Sequence, residues 1–155
     1  MYFAYTLYAM WSAAPFVPMS KQTVENMLQI LALTKDDIVI DLGSGDGRAV
    51  FAAAKQAKAA TGVEINPVLF YWSRFFQLVR KQKNVFFVRE NLWAFDTSKA
   101  TVIILFFIPG KMEALAHKLQ SELKPGTRIA SYGFRFPNWQ PETEYDKIRL
   151  YRTSS

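Results

Sequence analysis

The sequence predicts an α/β fold: a doubly wound, mostly parallel sheet with helices on both faces and a short antiparallel C-terminal strand. Three observations predict it. Short apolar runs alternate with helical patterns from residue 20 onward, which calls for right-handed crossovers between parallel strands. Ile38-Val39-Ile40-Asp41-Leu42 passes directly into Gly43-Ser44-Gly45-Asp46-Gly47-Arg48, the grammar of a buried strand, a tight turn and a helix start. Residues 101–108 are apolar on both faces, as a central strand must be. With 155 residues, 50% of them hydrophobic, the chain can build one core and not two.

Residues 1–19 form an uncharged, aromatic segment, set apart from a single domain over residues 20–155. The run is short for a membrane span, Pro15 and Pro18 break its end, and no basic stretch opens it as in a signal peptide. Three readings stay open: a helix lying on a membrane or partner, the remnant of a longer anchor, or a flap packed on the domain. Ser20 caps a helix from residue 21 to about 32, with Val24, Met27, Leu28 and Leu31 on one face. Lys35-Asp36-Asp37 turns into the first strand. A helix over residues 48–60 sits close to the sheet through Val50, Ala53, Ala54 and Ala57.

Thr61-Gly62-Val63-Glu64 reads as the second strand, and Asn66-Pro67 as the cap and first position of the next helix. That helix, to about residue 83, carries Phe70, Trp72, Phe75, Phe76 and Val79. This is more apolar surface than one sheet-facing stripe requires, so part of it is available to the aromatic N-terminus. Val85-Phe86-Phe87-Val88 is a third strand, and residues 101–108 are a fourth. Met112, Leu115, Ala116, Leu119 and Leu123 mark a helix ended by Pro125-Gly126. Residues 127–132 form a fifth strand, residues 133–141 an aromatic loop, and residues 146–152 the antiparallel strand.

The absence of cysteine excludes disulfides, thiolate metal sites and cysteine nucleophiles, and suits a reducing compartment. No metal-ligand constellation is evident, so no metal is expected. The lone His117 falls mid-helix, the place of a surface histidine rather than a base. A net charge of +6 is spread along the chain; it suits a plain soluble surface as well as nucleic acid, anionic lipid or acidic protein.

The glycine turn carries the chemistry. Gly43, Gly45 and Gly47 permit positive φ and close approach of a ligand to the backbone, beside the free N–H groups of a helix start. A dinucleotide turn reads G-x-G-x-x-G, but here Gly47 comes one residue early and Arg48 takes the third place. Asp41 and Asp46 flank the bound group. Two carboxylates repel a phosphate and attract an amino group and a sulfonium. Glu64, at the end of the second strand, stands where a ribose diol would be held.

This acid-bracketed turn followed by Glu64 resembles the class I S-adenosylmethionine-dependent methyltransferases, whose sheet is Rossmann-like. Further phrases resemble one small family of protein-lysine methyltransferases: Pro15-Phe16-Val17-Pro18, Asp41 to Arg48, Gly62-Val63-Glu64, Glu122-Leu123-Lys124-Pro125-Gly126-Thr127-Arg128 and Trp139. That family includes mitochondrial enzymes for the ATP synthase c-subunit and the adenine nucleotide translocase, and compact archaeal enzymes. The resemblance implies S-adenosyl-L-methionine as cofactor, contacted by Asp41, Gly43, Ser44, Gly45, Asp46, Glu64, Ile65, Glu90 and Asn91. Within it, Asp41, Gly43 and Gly45 surround the methionine moiety, Glu64 takes the ribose, and Glu90-Asn91 lies beside adenine. The family usually has aspartate at Asn91, and commonly Thr-Pro where Met19-Ser20 stands.

The substrate side is expected beyond the C-terminal strand ends. Enzymes acting on planar amines usually carry Asp/Asn-Pro-Pro-aromatic after strand four, and Leu105-Phe106-Phe107-Ile108-Pro109 lacks it. Phe107, Tyr132, Phe134 and Trp139 are the candidates for a lysine channel, with aromatic faces that tolerate the amine's charge. Phe106, Phe107 and Phe136, each taken singly, read better as core or rim packing. No catalytic nucleophile or base is assigned, because the cofactor carries the electrophile.

The expected function is methyl transfer to a protein lysine ε-amine, with a membrane surface met through residues 1–19 as a further partner. Two rivals stay open: a methyltransferase for a small molecule or RNA, and a non-catalytic cofactor-binding interaction module. The intact Asp41, Gly45 and Glu64 argue against the module. Nucleic acid is not the expected partner, and oligomeric state is not legible. The expected location is cytoplasmic, with peripheral or anchored attachment to a membrane as the alternative, mitochondrial for a eukaryotic source.

Overall fold

Strand β1, Ile38–Leu42, lies inside a seven-stranded sheet of order β3-β2-β1-β4-β5-β7-β6. The structure, a computed structural model, describes residues 17–106 and 109–154. The other strands are β2 (Ala59–Val63), β3 (Val85–Val88), β4 (Val102–Leu105), β5 (Arg128–Tyr132), β6 (Thr143–Tyr145) and β7 (Ile148–Arg152). Strands β1 to β5 run parallel, while β7 pairs antiparallel with both β5 and β6. This is the predicted doubly wound sheet. β4, inserted between β1 and β5, is buried along its whole length.

The helices are α1 (Lys21–Leu31), α2 (Arg48–Ala54), α3 (Pro67–Arg80) and α4 (Met112–Glu122). Ser20 Oγ accepts from Thr23 N–H at 3.0 Å, and Val24, Met27, Leu28 and Leu31 are buried on the expected face. Asn66 Oδ1 accepts from Val68 N–H at 2.9 Å, with Pro67 at the first helical position. The α1 side chains, α2, and Phe70 and Phe76 of α3 fill one face of the sheet. Helix α4 and the segment around Leu92, Trp93 and Phe95 cover the other.

Several boundaries differ from the sequence reading. α2 ends at Ala54 rather than near Ala60, because Ala59 and Ala60 join β2 opposite Ile38 and Val39. An alanine-rich run accepts either state, and the sheet hydrogen bonds decide. β4 ends at Leu105; Phe107 and Ile108, expected within it, lie outside the described residues. The C-terminal strand is a hairpin, with β6 preceding β7 across Asp146 at φ 53°. β6 is exposed at every residue, so no alternation of burial marked it in the sequence.

An ion pair fastens the edge of the sheet where the parallel strands begin. Arg128 Nη2 donates to Asp37 Oδ1 at 2.5 Å, and Thr101 Oγ1 donates to the same oxygen at 2.7 Å. Burial pushes the Asp37 carboxyl up, but hydrogen bonds from Arg128, Thr34 and Thr101 prevail and hold it below its ordinary value. These residues enter β1, β4 and β5 and lie at the opposite edge from the glycine turn.

Candidate functional site

The turn after β1 carries glycine at three alternate positions. Gly43, Gly45 and Gly47 have φ of 82°, 57° and 80°, so alternate residues sit in the left-handed region. Val63 O accepts from both Gly43 N–H at 2.9 Å and Ser44 N–H at 3.0 Å, which lays the turn across the end of β2. That close approach depends on Gly62. A Cβ there would stand 2.5 Å from Ser44 Oγ and 2.8 Å from the Phe87 ring. Over Gly43, in contrast, a Cβ would meet nothing within 4 Å, so the outer side of the turn is open.

Two side chains lock this shape from below. Glu64 Oε2 accepts from Gly45 N–H at 2.9 Å, and Oε1 accepts from Asn66 N–H at 2.8 Å. Ser73 Oγ donates to Gly45 O at 3.1 Å and is fully buried. Ser73 is the residue that sequence reasoning missed. Its signal was one small polar residue in the aromatic run Phe70-Tyr71-Trp72-Ser73-Arg74-Phe75-Phe76.

Asp41 is the electrostatic centre. It is buried, and among the described residues no hydrogen-bond donor or cation meets its carboxylate. Burial, then the charges of Glu64 and Asp46, push its carboxyl up to about 7. Burial also raises Glu64, against the pull of the Asn66, Gly45 and Ile65 N–H groups. Ser44 Oγ is buried without a hydrogen-bond partner among the described residues. A buried acid, two acidic neighbours and an unanswered hydroxyl make a site that favours a cation carrying polar groups.

Asp46 stands apart from this. Its carboxylate pairs with Arg48 at 2.5 Å, and Arg48 Nη1 also donates to Met19 O at 2.7 Å. Asp46 therefore ties the turn to the chain entering α1, while its charge still reaches Asp41. Ile65 and Glu90 are half-buried at the ends of β2 and β3. Asn91 is exposed, and its Oδ1 accepts from Trp93 N–H at 3.0 Å, so the amide oxygen that an adenine amine would use caps its own turn.

The aromatic candidates fall into two groups. Phe106, one residue beyond β4, has its ring 5.5 Å from Tyr132 and 5.7 Å from Phe134. Ser131 Oγ donates to Phe134 O at 2.8 Å and holds the loop that carries these rings. Trp139 lies in a second cluster, with Phe136 at 5.2 Å and Tyr151 at 5.4 Å. Tyr132 and Phe134 are thus joined through Phe106, which sequence reasoning had set aside as packing. Phe107 lies outside the described residues. His117 is exposed on α4, and no group of metal-binding side chains occurs among the described residues.

Known proteins resemble this chain in sequence and in fold. The family described as the ANTKMT methyltransferase domain matches residues 41–143. A protein-lysine N-methyltransferase of Saccharolobus islandicus is 40% identical over 135 residues, 83% of this chain and 81% of that protein. A lysine N-methyltransferase of the ATP synthase c-subunit, from Xenopus laevis, is 39% identical, over 83% of this chain and 57% of its own length. The chain spans little more than half of that vertebrate relative. A solved RNA methyltransferase from Salinibacter ruber, in complex with S-adenosyl-L-homocysteine, superposes with a TM-score of 0.82. It is 33% identical and covers 88% of this chain and 92% of its own.

Proposed function

Because the chain belongs to the ANTKMT methyltransferase family, we propose that it transfers a methyl group from S-adenosylmethionine to a protein lysine ε-amine. The observation that carries the reading is the buried Asp41 carboxyl at the end of β1, beside the glycine turn, pushed up to about 7. Such a carboxylate is relieved by a cationic ligand. The residues present fit that cofactor: an open face over Gly43, the unpartnered Ser44 hydroxyl, and acids at Asp41 and Glu64.

When bound, S-adenosylmethionine supplies an electrophilic methyl on sulfonium, so the protein needs no nucleophile of its own. Asp41 and the backbone of the turn would hold the amino acid end, and Glu64 would hold the ribose hydroxyls. Glu90 and Asn91 border the adenine side. Phe106, Tyr132 and Phe134 exclude water from the acceptor. A dry aromatic setting disfavours the ammonium form of lysine and raises the share carrying a free electron pair. Positioning then does the rest.

The lysine acceptor is supported by the activities of the archaeal and vertebrate relatives, both lysine N-methyltransferases. One observation favours a second reading, an RNA acceptor: the Salinibacter ruber neighbour is described as an RNA methyltransferase. Incubating the purified protein with labelled S-adenosylmethionine and cell lysate, then mapping the label by mass spectrometry, separates them. Lysine ε-amines are expected to carry it. Label on RNA, a carboxylate or a glutamine amide, with lysines unmodified, would overturn the proposal.

The location we propose is a membrane surface, met through the aromatic residues 1–19, of which residues 1–16 lie outside the described ones. Among the described residues no helix is long and apolar enough to cross a membrane.

A further inference from the structure

Helix α3 turns an apolar face away from the protein. Its inward side holds the buried Ser73 and the half-buried Phe70 and Phe76, packed on the core. Val68, Tyr71, Trp72, Phe75, Leu78 and Val79 follow the spacing of a single stripe on the opposite side. They are 63%, 62%, 55%, 59%, 71% and 59% exposed. Six neighbouring large apolar side chains on one helix exceed what scattered surface hydrophobics account for. The polar face that a surface helix normally gives to water is missing.

The charges around the stripe are of one sign. Between Glu64 and Glu90 the charged residues are Arg74, Arg80, Lys81, Lys83 and Arg89, with no acid among them. Arg80 stacks over the Phe51 ring at 4.4 Å and is spent on packing. Arg74, Lys81 and Lys83 are exposed, and among the described residues none forms an ion pair.

We propose that the outward face of α3 docks on an anionic lipid bilayer. The stripe enters the boundary between headgroups and acyl chains, Tyr71 and Trp72 sit at headgroup level, and Arg74, Lys81 and Lys83 meet lipid phosphates. Charge complementarity selects this occupant. A second copy of the chain paired through α3 would set these cations against one another across a two-fold axis. The uncharged residues 1–16 would cover the stripe and leave the cations unanswered. The chain entering α1 is nevertheless close: Arg48, which holds Met19 O, lines an open groove of about 860 Å³ together with Trp72, Phe76 and Arg80. Met19 and α3 therefore lie on the same side of the domain. This inference does not rest on the identity of the methyl acceptor.

The test is co-sedimentation of the full chain with vesicles of phosphatidylglycerol and phosphatidylcholine, and of phosphatidylcholine alone. Phe75→Glu with Leu78→Glu is expected to weaken binding to the anionic vesicles on the order of tenfold or more. Replacing Arg74, Lys81 and Lys83 by Gln is expected to reduce the preference for anionic over neutral lipid, roughly fivefold per charge. Affinity for S-adenosylhomocysteine, measured on each variant, reports that it has folded. A readout on the unaltered surface comes from brominated acyl chains, which are expected to quench the wild type more than Trp72→Phe. No binding by the wild type, equal binding by the glutamate variant, or equal quenching of the two proteins would overturn the proposal. So would a dimer in sedimentation that the glutamate variant dissociates.

Discussion

Glu64 and Gly45 are joined by a 2.9 Å hydrogen bond from the glycine N–H to Oε2, across 19 residues of sequence. The acid expected to hold the ribose is thus also a brace for the turn expected to hold the methionine moiety. Glu64→Ala is expected to weaken S-adenosylmethionine binding by roughly 1–3 kcal/mol, the range for a lost buried polar contact. Calorimetry showing equal affinity for wild type and variant would remove Glu64 from the site.

Gly62 tests the same brace by steric means. Its substitution by alanine places a methyl 2.5 Å from Ser44 Oγ and 2.7 Å from Ser44 Cβ, so the turn must lift from β2. Overpacking of this kind costs about 1–3 kcal/mol. Gly62→Ala is expected to lower both the melting temperature and cofactor affinity, whereas Gly43→Ala leaves packing intact and acts through backbone strain at φ 82°.

Asp41 predicts a pH dependence. Its carboxyl is raised from 3.8 to about 7, so ionisation is disfavoured in the folded protein. Stability of the cofactor-free protein should therefore fall as pH climbs from about 4 to about 7, then level off. Asp41→Asn should be the more stable protein at pH 8, by roughly 2–4 °C in Tm for each kcal/mol relieved, with little difference near pH 4. A cationic ligand requires the ionised form, so affinity of the wild type should rise from pH 5.5 to 7. Calorimetry in two buffers should detect proton release on binding, and Asp41→Asn should lose it.

Asp37 behaves with the opposite sign. Hydrogen bonds hold its carboxyl below 3.8 despite burial, so its contribution is complete above the ordinary value and fades as pH falls below it. Arg128→Met leaves the acid buried without its cation and is expected to destabilise by about 3–5 kcal/mol. Denaturant unfolding at pH 7 measures this. The pair lies at the far edge of the sheet, so cofactor affinity of the folded variant should not change.

Two variants test whether the aromatic groups divide acceptor side from core. Phe106→Ala opens the cluster with Tyr132 and Phe134 and is expected to reduce methylation of protein while cofactor affinity stays near wild type. Trp139→Ala removes contacts to Phe136 and Tyr151, both buried, and should lower stability by up to about 3 kcal/mol. If Trp139→Ala reduces acceptor turnover at unchanged stability, Trp139 belongs to the channel instead.

What the sequence by itself determined is local in its physics. Ser20 and Asn66 cap their helices through N–H groups two or three residues away. Positive φ at Gly43, Gly45 and Gly47 is a property of each residue and its immediate neighbours. The stripes of α1 and α4, and the apolar β4, follow from periodicity alone, and from them the parallel sheet. The tertiary structure decided what depends on distances between remote segments. It turned Ser73 inward onto Gly45, set Gly62 under Ser44, and gave the Asp46 carboxylate to Arg48. It joined Tyr132 to Phe134 through Phe106 and left Trp139 with Tyr151. The Asp41 shift arises because its carboxyl is sealed from water and, second, because β2 brings the Glu64 charge beside β1, a matter of burial and dielectric that no spacing of residues encodes.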